Sequence, residues 1–381
     1  HVKPSCAVRL SRVIDSATLL REIQQELDSF CSGVRSTFAE ISDDLSTIPD
    51  YVAALLQGGK RFRGQFAFLA WAGTVDRSSL SMQQQDDAMR GMIQICAALE
   101  MFHAAALVHD DLLDRSDTRR GEPAMHKRFE SAHAKNAWAG SAERFGQAGS
   151  VLVGDMMLAW AGEMFAAALE NCPDPQARRA ARLEFNKMQT EVMAGQFLDV
   201  AEENAGPTRA RHEAVGRANR VMLYKTAKYS VEAPLLIGAA FAGASDALLY
   251  SLSTFAIPLG LAFQLRDDVL GVFGAAEKTG KPVGDDLREG KRTVLVALTR
   301  ESLPTSVAQL FDDLLAERDL TEAQISHLQQ TIADSGALGK TQLMIEELGA
   351  QSLEVLHQIE LEPSALAALE QLAKKVIDRE S

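Results

Sequence analysis

Apolar residues recur every three or four positions over long stretches of this chain, and two-residue alternation is nearly absent. That is the periodicity of buried helices rather than of half-buried strands. It predicts helices over Leu19–Phe38, Ala88–Leu113, Val151–Leu169, Ala181–Val200, Ala218–Ala242, Ala256–Phe273 and Leu353–Ile377. Breaks are expected at Thr47–Asp50, Gly73–Ser81, Ser131–Ser150, Asn171–Pro175, Glu202–Thr208, Gly274–Gly290 and Ser302–Ser306, where turn-forming residues gather. No Pro/Ser-rich or charge-run linker and no fixed-period repeat interrupts the pattern. The expected architecture is one all-α domain over residues 16–381, with residues 1–15 loosely attached.

Charge sharpens this picture. The 381 residues carry 39 Lys+Arg against 52 Asp+Glu, a net charge of −13. Such a balance argues against a general nucleic-acid binder, which needs a basic surface, and against docking on anionic membranes. The four cysteines, Cys6, Cys31, Cys96 and Cys172, are too scattered for a disulfide framework or a zinc site and suit a reducing compartment. The start, His1-Val2-Lys3-Pro4-Ser5, reads as a processed end with no secretory apolar core behind it. The most apolar stretches, such as Ala233–Ala242 and Phe255–Leu265, contain proline and are expected to fall short of a membrane span. A soluble cytoplasmic protein is the expectation.

The sharpest local feature is Val108-His109-Asp110-Asp111-Leu112-Leu113-Asp114. On a helix, spacings of three and four residues turn all three carboxylates to one side, with Ala106, His103 and Leu99 further back on the same face. Three like charges ending an apolar helix repel one another unless a cation sits among them. Hard oxygen donors suit Mg²⁺, which shares its shell among carboxylates, water and substrate phosphate. A second pair, Asp267-Asp268, follows Gln264-Leu265-Arg266 near the end of another apolar helix, Pro258–Leu270. Two helices carrying such acids to opposite walls of a cavity would hold a multi-metal, diphosphate-binding centre.

The third component is basic. Gly58-Gly59-Lys60-Arg61-Phe62-Arg63-Gly64 sets three cations behind two glycines that permit close backbone approach. Arg119-Arg120-Gly121, Lys225-Thr226, Lys281 and Lys291-Arg292-Thr293 complete the set. In a net-acidic chain these read as clamps for anionic phosphates.

Five motifs in order, from about Tyr51 to Thr293, resemble the head-to-tail trans-isoprenyl diphosphate synthases, most closely the actinobacterial geranylgeranyl diphosphate synthases. They are Gly-Gly-Lys-Arg-Phe-Arg, Asp-Asp-Leu-Leu-Asp with Arg119-Arg120-Gly121, Gly195-Gln196 with Asp199, Lys225-Thr226, and Gln264…Asp268 leading into Gly280-Lys281…Asp286…Lys291. The resemblance implies an all-helical isoprenoid-synthase bundle with a central cavity, working as a homodimer with three Mg²⁺ per active site. It implies metal sites at Asp110, Asp111 and Asp114 and at Asp267 and Asp268. It implies that Lys60, Arg63, His103 and Arg120 hold isopentenyl diphosphate, and that Arg119, Lys225, Gln264, Lys281 and Lys291 face the allylic diphosphate. Thr226, Gln196 and Asp286 resemble supports behind them. The chain departs from the family pattern at Gly271, where a third aspartate is common, and at Gly64, where proline is common.

The implied reaction ionises a dimethylallyl, geranyl or farnesyl diphosphate, and the double bond of isopentenyl diphosphate attacks the allylic cation. Water must be kept out of that step. Ala105 and Ala106, where farnesyl-producing relatives carry aromatics, leave room for geranylgeranyl diphosphate, with Phe102 and Met101 as deeper caps. A farnesyl or longer-chain synthase is the alternative within the family. A class I terpene cyclase lacks support because no Asn…Ser/Thr…Glu triad replaces Asp267-Asp268. A phosphohydrolase would leave Arg119-Arg120 unexplained, and a non-catalytic subunit should have lost one acidic motif.

Overall fold

The computed structural model describes residues 15–274, 283–317 and 319–378. These pack as two compact units. One comprises the chain up to Glu184 with Pro234–Leu249 and Glu360–Leu369, and the other Phe185–Ala233, Tyr250–Ile359 and the chain from Glu370. The expected loose segment lies, but for Asp15, outside the described residues.

The first unit is built around α4. Its helices are α1 (Ser16–Ile41), α2 (Ile48–Leu55), α3 (Phe62–Thr74), α4 (Met82–Leu113), α5 (Met125–Lys135) and α6 (Ala142–Leu169). The start of α4 is fixed by a reciprocal Ser81–Gln84 capping box. From Ala88 to Asp111 it is buried almost all round, and it packs on α1, α3, α5 and α6. Glycine sets the closest approach. A Cβ at Gly154 of α6 would fall inside the His109 ring, so α6 lies flat against the turn that carries Asp110 and Asp111.

The second unit holds most of α7 (Pro175–Ala205), then α8 (Ala214–Val221), a π-helical segment (Met222–Glu232) and most of α10 (Asp246–Phe273). The helix α9 (Ala233–Phe241) follows the π-helical segment directly. Beyond α10 come α11 (Asp285–Arg288), α12 (Val294–Ser302), α13 (Thr305–Leu315), α14 (Glu322–Asp334), α15 (Ala337–Leu356) and α16 (Pro363–Ile377).

Helix positions follow the periodicity, with informative departures. The break expected over Ser131–Ser150 shrinks to 136–141, because Ser141 caps Arg144 and starts α6 early. Leu353–Ile377 is not continuous: α15 stops at Leu356, and Pro363 starts α16 where a missing N–H costs nothing. Ala218–Ala242 is helical as expected, but its middle widens to π geometry, with the Ala233 N–H reaching back five residues to Lys228 O. Pro234, which has no N–H to donate, follows at once.

The membrane expectation needs correction. By length and composition α4, α6 and α10 could each cross a bilayer. In α4 that apolar window is 72% buried inside the chain; in α6 and α10 the figures are 39% and 44%. The stretch Phe255–Leu265 misled because α10 continues through Pro258 instead of ending there, whereas Ala233–Ala242 is too short, as expected.

Candidate active site

In the first unit, the acidic end of α4 is closed by its own backbone. Asp114 is the C-cap, Arg115 takes the left-handed conformation, and the Ser116 N–H bonds Asp111 O at 2.9 Å. This is a Schellman-type stop made without the usual glycine. Asp110 and Asp114 are half-buried, and Asp111 is buried and held by Arg119, whose Nε donates to Asp111 Oδ1 at 2.8 Å. Arg119 Nη2 also pairs with Asp111, and lies 3.7 Å from Asp110 Oδ2. Here Arg119, expected to face the allylic diphosphate, pairs with the first acidic cluster.

Arg119 reaches that cluster from a hairpin, Thr118–Arg119 paired with Glu122–Pro123. Its two-residue turn is Arg120-Gly121, both at positive φ. The turn swings Arg120 the other way, onto the Gly58-Gly59 corner. Arg120 Nη1 donates to Gln57 O at 3.1 Å, and a Cβ at Gly59 would meet Arg120 Nη2 at 2.9 Å. Glycine is favoured there by its φ of +84°, while the arginine tip could give way to a Cβ. Between hairpin, α2 and α4 lies a cleft of about 210 Å³, lined among others by Gln57, Asp111, Arg119 and Arg120.

His103 is half-buried on the Asp110 face of α4. Burial, and then the cations Arg63, Arg120 and Arg119, push its pKa well below the ordinary histidine value. The structure thus brings Arg63, His103 and Arg120 into one electrostatic neighbourhood, while Lys60 is exposed beside them. Between its unfolded value near 6.5 and the lower folded one, the unfolded chain binds a proton that the folded chain does not. Stability should therefore fall as pH drops through that window, by at most about 1.4 kcal/mol per pH unit from this group. Urea unfolding of wild type and His103→Gln at pH 7.5 and 5.5 checks this: the variant should lose less on acidification.

Sequence reasoning missed Glu100. It is buried on α4, and its Oε1 accepts the Gly64 N–H at 3.2 Å. Burial raises its pKa, and Arg63, Arg61 and Arg120 oppose the rise. The signal was available: between Met92 and Val108 the sequence has no Asp, Lys or Arg, and its single Glu is Glu100, set among apolar and small residues.

In the second unit, Lys225 and Thr226 sit in the π-helical segment. Lys225 Nζ donates to Asp199 Oδ2 at 2.6 Å, and Lys291 Nζ approaches the same oxygen at 3.8 Å. Asp199, a motif residue without an assigned role in the sequence, is the acid shared by two of the expected phosphate-facing lysines. Thr226 Oγ1 donates to Gln264 Oε1 at 2.6 Å, and Gln264 Nε2 to Asp268 Oδ1 at 2.8 Å. Gln196 is half-buried on the same α7 turn as Asp199. Burial, then Asp286, push the Asp268 pKa well up. Lys281 lies outside the described residues.

Gly271 explains itself in this unit. It lies one turn beyond Asp267 on α10, and a Cβ there would fall inside the Asp286 carboxylate. Asp286 thus occupies the space that a side chain at 271 would need. Gly271→Asp should therefore lower the melting temperature by several degrees, while Gly271→Asp with Asp286→Ala should recover most of it; calorimetry reads both.

The profile of the family described as Polyprenyl synthetase matches residues 45–332, three quarters of the chain. The chain belongs to the polyprenyl synthetase family. It is 32% identical to the geranylgeranyl pyrophosphate synthase of Corynebacterium glutamicum, a structure solved with isoprenyl diphosphate and magnesium. The match covers 96% of this chain and 100% of that one, at a TM-score of 0.87. Among curated relatives, it is 30% identical to the geranylgeranyl diphosphate synthase of Methanosarcina mazei, over 85% of this chain and 86% of that protein. It is 31% identical to the geranylfarnesyl diphosphate synthase of Aeropyrum pernix, over 78% and 84%. As a polyprenyl synthetase the chain has the all-α isoprenyl synthase fold and is a prenyltransferase that elongates chains head to tail.

The acids of this polyprenyl synthetase fit magnesium by donor chemistry. Asp111 and Asp268 are buried carboxylates beside further acids, an arrangement that favours a divalent counter-ion. Among the described residues no three His, Cys, Asp or Glu side chains form an enclosing metal site. Magnesium takes one or two carboxylates and fills its shell with water and substrate phosphates, so the pairs Asp110–Asp111 and Asp267–Asp268 offer it oxygen donors of the right kind.

Proposed function

We propose that this enzyme condenses isopentenyl diphosphate with dimethylallyl, geranyl or farnesyl diphosphate, and that its main product is geranylgeranyl diphosphate. The observation that carries the product reading is Ala106, small and half-buried on the face of α4 that bears Asp110 and His103. Ala105 and Phe102, which the reading also gives to length control, are fully buried, as deeper caps would be.

In this reading Lys60, Arg63, His103 and Arg120 bind isopentenyl diphosphate. A neutral His103 can donate to a phosphate oxygen without the cost of a buried charge. Lys225, Gln264, Lys281, Lys291 and Arg119 bind the allylic diphosphate. Asp110, Asp111, Asp114, Asp267 and Asp268 would hold the magnesium ions, three per site. When bound, magnesium supplies charge neutralisation on the departing diphosphate. The chain itself orients the allylic substrate, since Thr226 and Gln264 lock each other and Asp199 fixes Lys225. Apolar walls exclude the water that would quench the cation. The double bond of isopentenyl diphosphate is the nucleophile, and the proton lost after carbon–carbon bond formation goes to the released pyrophosphate, so neither a protein nucleophile nor a protein base is needed.

We further read residues 16–381 as one catalytic domain, because the family match runs through both compact units. The reading includes a homodimer in the cytoplasm; uncovered apolar residues on α6 and α7, where Leu152 is 61% and Phe197 72% exposed, suit an interface with a second copy. The test is elongation with Mg²⁺, isopentenyl diphosphate and each allylic starter, followed by sizing of the dephosphorylated products. Twenty-carbon product from all three starters is expected. Fifteen- or twenty-five-carbon material as the main product would overturn the chain-length reading.

A further inference from the structure

Below Lys225 and Thr226 lies a second set of charged groups that the reaction does not use. Lys228, one turn further along the π-helical segment, donates from Nζ to Glu191 Oε1 of α7 at 2.7 Å. It lies 3.6 Å from Glu232 Oε2, and its ammonium stands 5.3 Å over the Tyr224 ring. Glu232, buried, accepts from Ser253 Oγ of α10 at 2.5 Å. The chain Glu191–Lys228–Glu232–Ser253 therefore ties α7, the π-helical segment and α10 together.

The same three elements touch again where the diphosphate-facing groups are. A Cβ at Gly195 of α7 would overlap the Lys225 backbone N, and one at Gly260 of α10 would lie 2.5 Å from Ala227 Cα. Two helical stripes result. Glu191, Gly195 and Asp199, four residues apart, meet Lys228, the Lys225 backbone and the Lys225 side chain in turn. Ser253, Gly260 and Gln264 meet Glu232, Ala227 and Thr226. Glycine contacts alone set distance but not register, since a smooth backbone contact can slide. π-helical geometry is moreover rare and occurs mostly as single turns within α-helices, often at functional sites. A half-buried lysine bonded to Glu191 and held beside the buried Glu232, with one partner on α7 and the other on its own segment, supplies the missing constraint.

We propose that Lys228 is a positioning residue: its bridge to Glu191 and Glu232 sets the register of the π-helical segment, and so aims Lys225 and Thr226 at the allylic diphosphate. Burial opposes the charge on Lys228, but the Glu191 hydrogen bond and the nearby acids keep its pKa above the ordinary lysine value, so the bridge stays ionised. This inference rests on the proposed assignment of Lys225 to the allylic substrate.

The test is steady-state kinetics of the full-length enzyme with farnesyl and isopentenyl diphosphates. Lys228→Met and Glu191→Gln should each raise KM for farnesyl diphosphate at least tenfold and leave KM for isopentenyl diphosphate within twofold. Lys228→Arg, which keeps the cation, should return to within threefold of wild type. A farnesyl KM unchanged in both variants would overturn the proposal, as would an equal rise in both KM values, the mark of general loosening. If Lys228→Met does not fold, Glu191→Gln decides alone, because Glu232 still balances Lys228 there. Wild-type protein that elongates no starter would overturn the functional reading and this inference with it; wild type that elongates while the variants keep their KM overturns only the inference.

Discussion

Asp110→Ala and Asp267→Ala should each cut kcat/KM for elongation by about a thousandfold or more, equivalent to ~4 kcal/mol of transition-state stabilisation. The physical reason is the leaving group. Pyrophosphate departs only when its charge is met, and in the proposed reading the carboxylates of each acidic cluster would hold the divalent ions that meet it. Neither change should harm folding. Asp110 is partly exposed, and removing an acid from a group of like charges relieves repulsion. Asp111→Ala is a less clean variant, since it strands Arg119, which donates to that carboxylate. An exposed acid elsewhere, such as Glu354, should be replaceable by alanine without effect, which separates site chemistry from net charge. Rates measured at saturating Mg²⁺ and over a Mg²⁺ titration check the expectation. Equal rates for Asp110→Ala and wild type would remove the first cluster from the mechanism.

Ala106→Phe should shift the main product from twenty to fifteen carbons, with total turnover within about tenfold. The position is half-buried on the face shared with Asp110 and His103, so a large ring there projects where the growing chain would extend. Ala105→Phe is a different experiment. Ala105 has no exposed surface, and a phenyl group forced into that packing should cost ~1–3 kcal/mol of stability. Product sizing of both variants, with melting curves beside it, tells tunnel closure from a strained core. An unshifted product from folded Ala106→Phe enzyme would show that another residue sets the length.

The helices were legible because each buries an apolar stripe whose period survives in the sequence. α1 and α7 lie where the pattern puts them, extended by a few residues at their ends. The misreadings have local causes. Polar residues at the start of α6 hid a helix that Ser141 caps, and the apolar run Leu353–Ile377 concealed a stop before Pro363. The acids and cations of the site were legible as motifs, because like charges in apolar company are costly without a partner. What the sequence could not show was pairing across elements. Arg119 and Arg120 are neighbours in the chain, yet a hairpin turn sends one to Asp111 and the other to the Gly58-Gly59 corner. The space at Gly271 is filled from Asp286, which no helical spacing connects to it. No motif marks Lys228; what singles it out is its pairing with Glu191 on α7 and Glu232 one turn on.

The central claim is that this polyprenyl synthetase uses its two aspartate clusters and basic clamp for metal-assisted transfer of an allylic group to isopentenyl diphosphate. The most direct measurement is incorporation of label from isopentenyl diphosphate into apolar-extractable product, with farnesyl diphosphate as acceptor. The account predicts rapid incorporation with Mg²⁺, none with a chelator, and one labelled unit per twenty-carbon product. Absence of incorporation in the presence of Mg²⁺, or incorporation undiminished by the chelator, would contradict it.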